Sequence, residues 1–441
     1  MKVAIQEKIN NDAVVGALSC LLLLLAAVCP LNIVSGVILI AWAVALFVHY
    51  KKITKTFVQV RGLLALSWFG SMGLAALKLH SLQQEWAILT WISIGLLYPA
   101  FLGGYCIAMK GVKLDTPAHL QKPNARSIYI TLLILFMGIF VVFIAEAIQA
   151  GSVPLFSNDM AAYKKFGIKY LHYITVVAGL APALALAYGC QWGFRTKEMI
   201  VLGALAALLG LIPIFIVSRQ LLLMEVVVAC IAWVIASKRE YQITIKIVII
   251  FILVCFLLYF VLSAFRNQNT EYIKAVFELP QAAGPIEVGF WQLYLYLCFG
   301  FDSFNSLVIN LTQHTFGAST GAPIIAFTLT KNLFTGSLPD LTEFYILPTY
   351  TTFTMIAEPY TDFGAVGVLA YGILLGIGSG LIELWARCRP SIWNVTAYGL
   401  VLYTLLISFF VCEVALPVFW FYLFTLFVCY YFAIYANRKY K

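Results

Sequence analysis

Apolar residues fill long runs of this chain, parted by short polar segments, over nearly its whole length. A helical run of about 18 or more residues, rising ~1.5 Å per residue, covers the ~30 Å hydrocarbon layer of a bilayer. The pattern predicts twelve such helices, at 13–29, 32–49, 60–79, 86–109, 127–149, 170–189, 199–217, 220–237, 245–264, 363–385, 394–413 and 416–435. The expected fold is all-α: a polytopic membrane protein of about twelve transmembrane helices, forming a single membrane domain over 1–441. No internal repeat or low-complexity linker is visible.

The segment 290–311 is apolar enough to be a thirteenth span. Counted alone, it would carry Arg387, Arg389 and the basic C-terminal tail to the side that holds few cations, so it is read as re-entrant or surface-lying. A second crossing near 322–334 would restore the other count. On the first reading 266–361 is one large external region before the last three helices, rich in Asn, Gly, Pro and acidic residues.

Composition agrees with the pattern. The chain is 63% hydrophobic and 11% charged, where ordinary soluble domains carry roughly 25% charged residues. The first apolar run is followed by Pro30 and at once by a second run, so it reads as a retained helix of a hairpin. Most of the ten cysteines lie inside apolar runs, with no Cys/His spacing of a zinc site. Neither disulfides nor a cysteine-bound metal is expected.

The net charge of +9 reports topology rather than a nucleic-acid partner. With the N-terminus in the cytoplasm, 20 of the 28 basic residues fall inside, among them Lys51, Lys52, Lys55, Arg61, Arg387 and Arg389. The remaining eight are external: Lys78, Lys164, Lys165, Lys169, Arg219, Arg266, Lys274 and Lys331. Two of these stand at the ends of spans. Arg219 opens a helix that carries Glu225 about 9 Å deeper, and Arg266 closes another. A planar guanidinium suits phosphate oxygens, although either residue also reads as a plain loop cation or the partner of a membrane carboxylate.

The run Ser157-Asn158-Asp159 predicts a helix start, after which Lys165, Lys169 and His172 fall at i, i+4 and i+7 on one face. They are candidate substrate contacts, or lysines reaching to lipid headgroups. Glu146, Glu225 and Glu413 gather toward the outer leaflet, where their plainest role is to neutralise the arginines. His314, Asp302, Asp340, Glu343, Glu358 and Asp362 are candidates for a general base, and the residues themselves do not choose among them. Trp291, Tyr294, Tyr296, Tyr345, Tyr350 and Tyr360 have rings that stack on sugars, and equally rings of the kind found at membrane interfaces.

Three short motifs carry a resemblance: Gly151-Ser152-Val153-Pro154-Leu155-Phe156-Ser157 before the basic helix, the Ser218-Arg219-Gln220 turn, and Tyr360-Thr361-Asp362-Phe363-Gly364-Ala365-Val366-Gly367 entering a late span. With them, and with its hydropathy profile, the chain resembles the Wzy-type O-antigen and capsule repeat-unit polymerases of bacteria. The resemblance implies a metal-independent glycosyltransferase of the inner membrane, with both termini cytoplasmic and no cofactor. It implies an undecaprenyl-diphosphate-linked oligosaccharide as donor and another as acceptor, the bilayer as a partner, and a chain-length regulator as an optional one. The glycan would leave undecaprenyl diphosphate for the terminal sugar hydroxyl of the next repeat unit, with Arg219, Arg266, Lys165, Lys169, His172, Trp291 and Tyr360 holding substrate. His314, Asp302, Glu358 or Asp362 would take the proton. Some members carry an Arg-x10-Gly pattern, which here would need glycine at Cys230 or Phe277, so its roles do not transfer. An O-antigen ligase, a lipid-linked oligosaccharide flippase or other transporter, and a structural scaffold are the alternative readings.

Overall fold

The computed structural model describes residues 2–111, 123–157, 162–265, 270–277, 279–328, 330, 341–347 and 351–439. Arg266, Lys331, Asp340, Tyr350 and the expected helix start at Asn158 and Asp159 lie outside them. The described chain is helical, without a strand. Thirteen helices have a dozen residues or more: α1 (Lys2–Val28), α2 (Asn32–Thr54), α3 (Val60–Ala76), α4 (Ile88–Gly111), α5 (Ala125–Ala150), α6 (Ala181–Trp192), α7 (Lys197–Leu209), α8 (Arg219–Ala236), α9 (Ile245–Phe265), α10 (Pro285–Asn310), α11 (Ala357–Cys388), α12 (Ile392–Leu406) and α13 (Pro417–Lys439).

Nine helices among the described residues are long and apolar enough to cross a membrane, and three shorter apolar ones, Val60–Ala76, Ile245–Leu257 and Ile392–Leu406, fall on the remaining expected spans. The protein is a polytopic membrane protein. Many of these helices keep an apolar face uncovered; in the window at Ala125–Phe156 only 33% is buried, with Ile134, Val141 and Ile148 exposed. A bilayer is the solvent that such faces require. Local signals set several ends: Asn124 accepts from Ser127 N–H at 2.7 Å to start α5, and Gly151 at φ 74° ends it.

The described contacts divide the chain into two compact units. The first comprises Met1–Leu114, Ile273–Leu384 and Thr404–Phe419, and holds α1 to α4, α10 and most of α11. Gly372, Gly376 and Gly380 line the face of α11 that meets α4, and a Cβ at Gly376 would stand 2.1 Å from the carbonyl oxygen of Phe101. Only glycine lets the backbones approach this closely. The second unit comprises Asp115–Tyr272, Trp385–Tyr403 and Trp420–Lys441, with α5 to α9 and most of α12 and α13.

The helix α10 covers the segment read as re-entrant or surface-lying. Leu295, Cys298, Phe299, Phe301, Phe304 and Leu307 are all buried, so it runs through the interior of its unit rather than along a surface. Its polar partners from Tyr294 to Asn305 come from Leu74, Leu79, Gln83, Trp86 and Thr90, at and around the α3–α4 connection. The described helix of the stretch 322–334, Ala322–Phe327, has six residues. Residues 329 and 331–334 of that stretch lie outside the described residues.

Candidate functional site

In the first unit α11 breaks one turn after it starts. Phe363 (φ −141°, ψ 20°) and Gly364 (φ 60°, ψ −147°) leave helical geometry, and the latter is a region open to glycine alone. A break strips carbonyls of their intrahelical donors, and here the preceding loop supplies new ones. Thr361 O accepts from Thr315 N–H at 3.1 Å, and Asp362 O from Phe316 N–H at 3.3 Å. The Asp362 carboxylate accepts from the N–H groups of Ser319 (2.9 Å) and Thr320 (2.8 Å) and from the hydroxyls of Thr315 and Thr320. Asp362 therefore clamps the 315–320 loop.

His314 stands at the start of that loop, exposed, with Nδ1 at 3.1 Å from Thr361 O. A carbonyl only accepts, so the proton sits on Nδ1 and the lone pair on Nε2. Tyr360 is 4% exposed, its ring packed on Phe304 at 5.3 Å and His314 at 6.3 Å, so it buttresses the imidazole and presents no open face to a sugar. Glu358, one turn earlier, has a buried Oε2 with no hydrogen-bond partner.

Asp302 belongs to a second cluster of the same unit. It is buried and accepts from Lys78 Nζ, Gln83 Nε2 and Trp86 Nε1, each at 2.7 Å. The ammonium of Lys78 lies 4.2 Å from the centre of the Trp86 ring. Burial pushes its pKa below the ordinary lysine value, with the Asp302 carboxylate opposing the shift. Lys78 is thus no free loop cation, and Asp302, with three donors upon it, organises the α3–α4 connection. Asp362 is saturated in the same way. Among His314, Asp302, Glu358 and Asp362, only His314 pairs exposure with an uncommitted lone pair; of the other two candidates, Glu343 is also exposed and Asp340 lies outside the described residues.

Tyr294 links this cluster to a groove of about 670 Å³ lined by Leu79, Gly284, Ile286, Glu287, Phe290, Trp291 and Tyr294. Tyr294 Oη donates to Gln83 Oε1 at 2.8 Å. Trp291 is thereby the expected sugar-stacking residue that faces an open groove.

In the second unit the expected continuous basic helix is interrupted. The helix Ala162–Lys165 stops after four residues, Gly167 (φ 115°) and Tyr170 (φ 70°) turn the chain, and His172–Val176 forms a separate helix. Lys165, Lys169 and His172 therefore do not share one helical face. The buried carboxylate of Glu146 causes the turn to hold: it accepts from Ile168 N–H (3.1 Å) and Thr175 Oγ1 (2.7 Å) and faces His172 Nδ1 at 3.2 Å. Lys165 and Lys169 remain exposed. Among the described residues the partners of Glu146 are Ile168, His172 and Thr175, and no arginine is one of them.

Arg219 is the first residue of α8, and Ser218 caps it by accepting from Leu221 N–H at 3.3 Å. Val217 before it has φ 55°, a strained value for a β-branched residue. Glu225 lies buried deeper in α8, its Oε2 without a partner. Among the described residues no three His, Cys, Asp or Glu side chains gather as a metal site needs. No known protein family matches the chain, nor does any curated protein or solved structure.

Proposed function

We propose that the chain is a membrane glycosyltransferase that polymerises undecaprenyl-diphosphate-linked oligosaccharide repeat units on the external face of the bacterial cytoplasmic membrane. The observation that carries this reading is His314, exposed and held through Nδ1 by the Thr361 carbonyl. An imidazole so held offers Nε2 as a general base. In the reaction the acceptor hydroxyl oxygen bonds to the anomeric carbon of the donor and passes its proton to Nε2. The bond from that carbon to the diphosphate oxygen breaks, and its electron pair leaves with the lipid diphosphate. Both substrates carry such a diphosphate, and Arg219, fixed at a helix start behind a strained Val217, has the charge and planar fork to bind one. The groove beside Trp291 suits a sugar ring, with Glu287 to accept from its hydroxyls.

The experiment is deletion of the gene in its host, followed by a gel of the surface glycan. Loss of the long-chain ladder with single-repeat glycan retained supports polymerisation. A transporter draws on the break in α11, since interrupted helices line transport sites. It predicts loss of all surface glycan with precursors held inside. A ligase predicts polymer that accumulates on its lipid carrier.

A further inference from the structure

Three side-chain oxygens between Thr352 and Glu358 are buried with no hydrogen-bond partner among the described residues: Thr352 Oγ1, Thr354 Oγ1 and Glu358 Oε2. Each has left water without compensation, and a carboxylate oxygen bears the largest penalty. The two threonines are 2% and 0% exposed. Glu358 has no ion-pair partner among the described residues, and the charged group acting on it is another acid, Asp362. Cys412, which hydrogen-bonds to the Glu358 carboxylate and lies 3.6 Å from Tyr371 Oη, completes its surroundings, with Glu413 next in the chain.

These atoms sit where helices stop. The stretch before α11 is non-helical from 351 to 356, and so is 407–412 after α12. Met355 N–H donates to Ser408 O at 2.8 Å and pins the two together. Gly300 of α10 closes upon both, for a Cβ there would lie 2.4 Å from Phe409 O and 3.4 Å from Thr354 N. The turn closed by Ala357 N–H on Thr354 O leads into the helix that carries Glu358.

We propose that Thr352, Thr354 and Glu358 form a binding site for a monovalent alkali cation. Hard cations take oxygen ligands, and this site offers one carboxylate oxygen and two hydroxyls that nothing else uses. One positive charge matches the Glu358 charge, while the Asp362 carboxylate is already held by four hydrogen-bond donors of the 315–320 loop. The bound ion fixes the joint at which α11 begins. The inference holds whether or not the protein transfers glycans.

The test is thermal unfolding of the purified full chain in nanodiscs, followed by tryptophan fluorescence in sodium, potassium or choline chloride at constant ionic strength. The midpoint rises and saturates with sodium or potassium but not with choline, and Glu358→Gln abolishes that response. Thr354→Val and Thr352→Val each raise the half-saturating concentration about tenfold or more, as loss of one charge-assisted ligand requires. Equal midpoints in the three salts overturn the proposal, as does a saturable response that survives in Glu358→Gln; a proton then neutralises the acid. Should Glu358→Gln fail to fold, unchanged half-saturation in both threonine variants overturns it.

Discussion

His314 Nδ1 lies 3.1 Å from the carbonyl oxygen of Thr361, a residue 47 positions away in sequence. That carbonyl is available only because α11 breaks at Phe363 and Gly364. Helix break, loop clamp and imidazole orientation are therefore one arrangement, and disturbing any part moves the others.

His314→Ala lowers the rate of glycan transfer by about 10²- to 10⁴-fold, the usual contribution of a general base. The variant also loses the hydrogen bond to Thr361 O, which costs stability only about 0.5–1.5 kcal/mol, too little to explain such a loss of rate. Initial rates in membranes with a lipid-linked substrate decide the matter; a wild-type rate removes His314 from the chemistry.

Gly364→Ala destabilises the protein by about 1–3 kcal/mol, the cost of a glycine-only conformation. The added Cβ meets only the His314 ring, Cε1 at 3.5 Å and Nε2 at 3.7 Å, so the effect is conformational and not a clash. Gly378→Ala in the same helix is the control, since its Cβ meets nothing within 4 Å. Replacing a helical glycine there stabilises by roughly 0.5–1 kcal/mol. Thermal unfolding of the two variants should move in opposite directions.

Arg219→Ala abolishes the ladder of polymer lengths and leaves single-repeat glycan on the gel. Loss of a charge-assisted contact to phosphate weakens binding about ten- to hundredfold. Arg219→Lys keeps the charge but not the planar fork, and gives shortened ladders. A full ladder in the alanine variant would remove the arginine from substrate binding.

Asp302→Asn leaves the Lys78 ammonium buried and unpaired, and costs about 3–5 kcal/mol in unfolding free energy. Pairing it with Lys78→Met recovers much of that loss, because no buried charge remains. The pH dependence has a fixed sign. The Lys78 pKa is lowered by folding, so between its folded and its ordinary value the unfolded chain holds more protons. Stability contributed by this group thus rises with pH through that window. The wild type shows the rise in unfolding titrations and the Lys78→Met variant does not.

Apolar runs of bilayer length placed all twelve expected spans on helices, because a segment that must satisfy its backbone in lipid has little choice but to be helical. Asn124 and Ser218 cap helices through contacts within one turn, a side chain accepting an orphan N–H, although the sequence reading did not single them out as caps. The basic helix after Ser157 was misread since its break depends on Glu146, which reaches Ile168 N–H from another helix. Lys78 and Asp302 read as unrelated external groups, 224 residues apart, and proved to be one ion pair.

The linear pattern alone thus determined the all-helical membrane architecture and the list of polar residues with chemistry to offer, since hydropathy and capping act over one helix or one turn. Which of those residues stand ready, and which are spent on holding the fold, was decided by tertiary contacts. Asp302 and Asp362 share with His314 the chemistry of a base, but donors from distant segments occupy both carboxylates and leave the imidazole nitrogen open. Burial and hydrogen-bond satisfaction are properties of the packed chain, so they select among candidates that sequence can only name.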